Sequence, residues 1–212
     1  MMPADEPRWR RRKEARPAEI VSAALAVFAE KGFAAARLDD IAARAGVSKG
    51  ALYLYFETKQ DLFGAVVRDA VSPNIATVEA AVSAMDLPFA QAARMLLGRA
   101  ADVLTVSQLG SVAKMVIAES RNFPELARVW HDEVVVRVLR IVTGLIERAQ
   151  ARGEVHPGDA RFHALALIGP LFMGVLWREV LEPAGAEPID LRRLVLQHVE
   201  TALAGLLAEG GR

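Results

Sequence analysis

The 212-residue sequence predicts an all-α protein, with a three-helix N-terminal head joined through a long fourth helix to a larger C-terminal helical bundle. Two observations carry the prediction. Apolar residues recur at i, i+3, i+4 and i+7 in most segments, and almost none alternates with period two. Glycines, prolines and short polar residues stand where helices of that phase would begin and end. With 53% hydrophobic residues, a sizeable core can form.

Ile20, Ala23, Ala24, Val27 and Phe28 make the first apolar stripe, with Pro17 at its opening turn and Gly32 at its close. Ile41, Ala42 and Ala45 make a second, short one that stops at Gly46, and Ser48 is a good N-cap for a third running to about Phe56. Thr58 and Asp61 form a capping box, with Asp in place of the usual Glu, that opens a fourth helix over 59–84. Further helices are expected over 88–106, 109–119, 124–152 (opened by Pro124, stopped by Gly153), 159–181 and 188–208. The domain division is a basic disordered arm over 1–16, a head over 17–58 and a body over 59–212.

Charge is balanced overall but not locally. Residues 1–56 hold ten Lys/Arg against seven Asp/Glu, and residues 57–212 hold 16 against 19. A basic head on a mildly acidic body points to a polyanionic partner for the head. The absence of cysteine excludes disulfides, thiolate metal sites and cysteine nucleophiles. The N-terminus lacks the apolar core of a secretory signal. The longest uncharged run near the C-terminus, Ala164 to Trp177, is fourteen residues with a Gly-Pro inside, which suits a buried helix better than a membrane span. A soluble cytoplasmic protein with no membrane partner is expected.

The stretch "DDIAARAGVSKGALYLYF" has the spacing of a helix-turn-helix. Ala42 is small where two helices cross, Gly46 supplies a sharp turn, and Val47 and Leu52 lock the second helix, with Ile41 and Ala45 filling the inner face. The helix from Lys49 would enter a DNA major groove with its first turn nearest the bases. Lys49 can reach a guanine edge or a phosphate, Gly50 permits close approach, and the Ala51 methyl can meet a thymine methyl. Tyr53 and Tyr55 would bond phosphate oxygens, which set register. Lys59 adds charge where a helix N-terminus already favours phosphate. The arm residues Arg8, Arg10, Arg11, Arg12, Lys13 and Arg16 either enter the minor groove or form a solvated tail that raises affinity alone.

"IVSAALAVFAEKGF" followed by "LDDIAARAGVSKGALYLYFETKQDLF" closely resembles the DNA-binding head of TetR-family transcriptional regulators, over about residues 17–63. "FPELARVWHDEVV" and "ARGEVHPGDARFHALALIGPLFMGV" are similar to the ligand-domain pattern of many members. The resemblance implies a homodimeric repressor whose C-terminal bundle binds a small-molecule inducer and then releases a palindromic double-stranded DNA operator. It places Ser48, Lys49, Gly50, Ala51 and Tyr53 at the recognition helix and its cap, and Tyr55 and Lys59 at phosphate contacts. One position departs. The family commonly has Thr or Ser before its second helix, whereas here the turn reads Ala36-Arg37-Leu38, so Arg37 can contact phosphate but cannot cap as a hydroxyl does.

In the body, a cavity under helices 59–152 is expected to be mostly apolar. Leu96, Val103 and Val116 are candidate lining beside Met95 and Met115, with Gln91, Arg94, Gln108, Glu119, Trp130 and His131 as polar candidates. The last two helices carry broad apolar faces. Leu165, Ile168, Phe172 and Leu176 lie on one, and Leu191, Leu194, Val195, His198, Leu203 and Leu206 on the other, as expected of a two-fold four-helix interface. The four histidines lack metal-site spacing, so no metal or cofactor is expected. No nucleophile–base pair or phosphate loop supports an enzyme. The alternative from another class is an all-α small-molecule carrier or enzyme with a vestigial head.

Overall fold

The computed structural model of the protein describes residues 8–84 and 87–208. Three helices make the head, α1 (Arg8–Ala35), α2 (Leu38–Arg44) and α3 (Lys49–Tyr53). The long α4 (Lys59–Ala84) leads into α5 (Phe89–Val106), α6 (Leu109–Glu119), α7 (Pro124–Trp130), α8 (Val136–Ala151), α9 (Ala160–Leu176) and α10 (Leu191–Leu206). A π-helical turn, His131–Val135, joins α7 to α8, so the expected 124–152 helix is one rod with a single widened turn. A second π turn, Trp177–Leu181, extends α9.

The predicted caps form. Ala51 N–H donates to Ser48 Oγ at 3.2 Å. In the capping box, Thr58 N–H donates to Asp61 Oδ2 at 3.1 Å and Asp61 N–H returns to Thr58 Oγ1 at 3.0 Å. Boundaries differ from expectation at α10, which begins at Leu191 rather than 188, and at α1 and α3. α1 begins at Arg8, so residues 8–16 of the supposed disordered arm are helical; Arg, Lys, Glu and Ala are good helix formers, and Pro17 removes only one ladder bond. Met1–Pro7 lie outside the described residues, as do the side chains of Arg8, Arg10, Arg11, Arg12 and Lys13, so the minor-groove expectation for the arm falls there. α3 stops at Tyr53, because Tyr55 N–H donates to Leu52 O in a tightened last turn that swings Phe56 into the core.

The first stripe packs as predicted, with Ile20, Ala24, Val27 and Phe28 buried. Four phenylalanines bind head to body. Phe33 lies 5.4 Å from Phe28, 5.8 Å from Phe63 and 5.0 Å from Phe123 between ring centroids, so α1, α4 and the start of α7 share one aromatic cluster. At the other end, α10 packs against α5 and α9. Leu191, Val195, Leu203 and Leu206 are buried in the chain's own core, which corrects their assignment to a spare face. Burial of each is worth about 1.5–3 kcal/mol, enough to spend that face within one chain.

Candidate functional site

The turn between α2 and α3 is built as the sequence requires. Gly46 has φ +66°, Val47 N–H reaches back to Ala42 O and Gly46 N–H to Ala43 O, so the end of α2 closes on a left-handed residue. Any L side chain at Gly46 would be strained there by about 1–2 kcal/mol. Leu52 then anchors α3 in the core, while Lys49, Gly50 and Tyr53 stand exposed on the outer face. A Cβ at Gly50 would meet nothing within 4 Å, so this glycine is not needed for packing within the chain. Tyr53 is 45% exposed and Leu54, which the sequence reading passed over, 82%.

Three expected DNA contacts need qualification. Lys49 Nζ pairs with Asp39 at 2.8 Å, so an acid on α2 competes for it, and this neighbour raises the lysine's pKa. Tyr55 is half-buried and packs against the core, so its ring is partly structural. Lys59 is corrected: its ammonium donates to Phe33 O (2.6 Å), Ala34 O (3.1 Å) and Ala36 O (3.0 Å), using all three N–H groups inside the protein. It also lies 4.5 Å from the centroid of the Phe33 ring. Burial pushes its pKa below the ordinary lysine value, opposed by the Glu119 carboxylate. Arg37 sits at the N-cap of α2, exposed and without a side-chain cap bond, as the departure at this position implied.

The body holds a partly open cavity of about 490 Å³ between α4, α5, α6, the α7–α8 rod and α9. Its wall is almost wholly aliphatic, including Ile75, Val78, Val103, Val138 and Ile141. Of the candidates, Leu96, Val103 and Trp130 line it; Gln91, Arg94, Met95, Gln108, Met115, Val116, Glu119 and His131 do not. Helix phase explains the misses. On α5 the lining positions are Leu96, Leu97, Arg99, Ala100, Val103 and Leu104, whereas Arg94 turns to α10 and chelates Glu200 at 2.6 and 2.8 Å. Met115 and Val116 are ordinary core, and exposed His131 pairs with Asp132 at 2.8 Å. The wall is mostly apolar, and of the polar candidates only Trp130 reaches it; helical periodicity alone does not separate its valines and leucines from packed core.

Residues 20–66 match the family described as "Bacterial regulatory proteins, tetR family", and residues 89–197 match "Tetracyclin repressor-like, C-terminal domain". The chain belongs to the TetR family. Its fold is similar to a TetR-family transcriptional regulator of Mesorhizobium loti at TM-score 0.75 and 27% identity, over 93% of this chain and 99% of that one. It is also similar to SmeT bound to triclosan (TM-score 0.75, 24% identity, 93% and 94% covered). The third is FadR of Bacillus subtilis bound to stearoyl-CoA (TM-score 0.70, 21%, 89% and 98%). The chain spans about a third of the length of the first curated relatives it matches, transcriptional regulators of Bacillus subtilis and Mycolicibacterium smegmatis.

Within this TetR-family architecture, Glu119 has a place that the sequence reading missed. It ends α6 and accepts a hydrogen bond from Ala34 N–H at 3.1 Å, just beyond the Gly32 break in α1. Nearby, Gln60 Nε2 donates to Glu125 Oε1 at 3.1 Å. With Lys59 and Phe123, these groups make the corner of α6 and α7 a strut onto the head. On α9, Phe172 (55% exposed) and Leu165 remain open to solvent, alongside Phe162 (68%) and Met173 (53%), which the sequence reading did not single out. Leu165, Ile168 and Phe172 also border the cavity, while Leu176, Leu194 and His198 are half-buried.

Proposed function

We propose that the chain is a ligand-responsive DNA-binding transcriptional regulator, acting in the cytoplasm as a homodimeric repressor that a largely apolar small molecule releases from a palindromic operator. The observation that carries the proposal is the exposed face of α3, where Lys49, Gly50 and Tyr53 stand clear of the core on a helix locked by Gly46, Ser48 and Leu52. One short helix reads too few bases to be specific, so two heads on half-sites about 34–36 Å apart, or a multiple, are required. The apolar face Phe162–Leu165–Phe172–Met173 supports α9 as the seam between subunits. Ala160–Ala184 is long and apolar enough to cross a membrane by length and composition alone, and we assign its exposed side to the partner subunit instead.

The mechanism is a difference of affinities. The cavity wall includes Ile75 and Val78 of α4, Leu109 and Ala113 of α6, and Leu165 and Phe172 of α9. A ligand there pushes on the helix that carries the head, on the helix whose end grips Ala34, and on the seam. Whatever spacing of heads it favours, DNA must disfavour the ligand by the same factor. SmeT with triclosan and FadR with stearoyl-CoA are relatives of this fold with bound small molecules of large apolar area, which supports a sensor in the body.

The test is fluorescence anisotropy on a selected duplex with Lys49→Ala and Tyr53→Ala. Each is expected to weaken operator binding at least tenfold, roughly 1.4 kcal/mol, with the melting temperature and dimer unchanged. Operator affinity within about twofold of wild type in both variants would remove α3 as the reader.

A further inference from the structure

Among the residues of the cavity's described wall, only Arg99 and Trp130 have polar side-chain groups, a guanidinium and an indole N–H. Both are donors and neither can accept. No carboxylate, amide or hydroxyl side chain shares the described wall. Arg99 is also set apart from its neighbours on α5. Arg94 is bound to Glu200 and Asp102 to Arg192 Nε at 2.8 Å, so the charges on either side are spent in ion pairs with α10. Among the described residues Arg99 has no acid partner, and Trp130 Nε1 has no acceptor. A wall whose only polar residues are donors, with a planar cationic fork at its solvent-exposed edge, favours a ligand whose polar part accepts and is negatively charged.

We infer that the ligand is an anionic amphiphile, an aliphatic chain ending in a carboxylate, with the chain in the cavity and the carboxylate at Arg99. This rests on the reading of the cavity as the sensor site. About 490 Å³ lies in the range of small-molecule sites, roughly 300–1,000 Å³, and the aliphatic wall suits hydrocarbon. Arg99 is solvent-exposed at the edge of that wall. The head group therefore stays near water while the tail is buried, and the charge needs no deep desolvation. A cationic amphiphile finds no counter-charge there, and a neutral one gains at most an uncharged acceptor's hydrogen bond from Arg99.

The test is calorimetric titration of the full-length protein with dodecanoate, dodecanol and dodecyltrimethylammonium, which share one tail and differ in head charge, each below its micelle concentration. Two variants accompany wild type. Arg99→Gln removes the charge. Gly169→Trp fills the cavity edge from a position where an added Cβ meets nothing within 4 Å. The expected order is dodecanoate tightest by about fivefold to tenfold over dodecanol, with the cation weakest; an exposed ion pair sets that modest range. The advantage should shrink as salt rises. Arg99→Gln should bring dodecanoate to the affinity of dodecanol and leave dodecanol within about twofold, and Gly169→Trp should weaken both. If all three probes bind alike, ignore Arg99→Gln and are weakened by Gly169→Trp, the anionic assignment is overturned while the cavity stands as the sensor. If no probe binds, or Gly169→Trp changes nothing, the cavity reading fails and this inference with it.

Discussion

Lys59 separates two accounts of the same residue. As a phosphate contact, its loss would weaken DNA binding and leave the fold intact. As the structure has it, its ammonium gathers the carbonyls of Phe33, Ala34 and Ala36 at 2.6, 3.1 and 3.0 Å and fixes the end of α1 to the start of α4. Replacement by methionine keeps much of the aliphatic stem against Phe33 and removes the donors and the cation–π contact. Hydrogen bonds to a charged group contribute about 1.5–3 kcal/mol each. They do not add fully here, because the ammonium gives up water to make them and partial exposure screens it. A net loss of about 2 kcal/mol follows for Lys59→Met. In a chain of this size that lowers the melting temperature by about 4–8 °C at fixed protein concentration. The assays are thermal unfolding and the salt dependence of operator binding. The slope of log affinity against log salt should be unchanged, since no phosphate contact is lost. A melting temperature within about 1 °C of wild type, together with a slope flattened by roughly 0.9 per contact, would refute this account of Lys59.

Gly50→Ala should stabilise the fold by about 0.5–1 kcal/mol, because α3 gains helix propensity and the new Cβ meets nothing, yet weaken operator binding where DNA needs that space; melting and anisotropy together check both signs. Asp39→Asn frees Lys49 from its ion pair and should raise operator affinity about twofold to fivefold at low salt, converging with wild type at high salt. Glu119→Ala leaves Ala34 N–H without its acceptor and loosens the strut. Stability should fall by about 1 kcal/mol, and the factor by which ligand weakens DNA binding should shrink, as read by anisotropy with and without ligand. Glu154 is held below the ordinary carboxylate range by its hydrogen bond to Arg152, helped by Phe89 N–H. Its contribution is therefore complete above the unfolded carboxylate pKa and is lost as pH falls through the lowered folded value, so the melting gap between wild type and Glu154→Gln should close in acid.

How far the sequence could be read follows from where each signal is local. The turn at Gly46, the Ser48 cap and the Thr58–Asp61 box involve groups within a few residues of one another, so spacing alone specified them. The fate of Lys59 depends on carbonyls 23 to 26 residues away, at a break in α1 that brings them round to the start of α4. Glu119 likewise meets a partner 85 residues upstream, and its carboxylate looked like a pocket group because nothing nearby in sequence uses it. Most of the cavity's lining residues are hidden for a different reason. A wall of valines and leucines gives the same periodicity as a packed core, and only the three-dimensional gap between helices tells them apart. On α10, Leu191 and Val195 were read as spare because the apolar area that α5 and α9 offer in return is not visible in one helix's pattern.

The central claim is that α3, held twice in a two-fold assembly, reads DNA sequence. Selection of duplexes from a random pool by the purified full-length protein, followed by sequencing, tests it most directly. The account predicts enrichment of a palindrome whose half-sites are about one helical turn apart or a multiple of that. The enrichment should disappear when Tyr53→Ala replaces wild type. Salt-dependent capture of DNA with no enriched sequence, or enrichment that survives Tyr53→Ala, would contradict it.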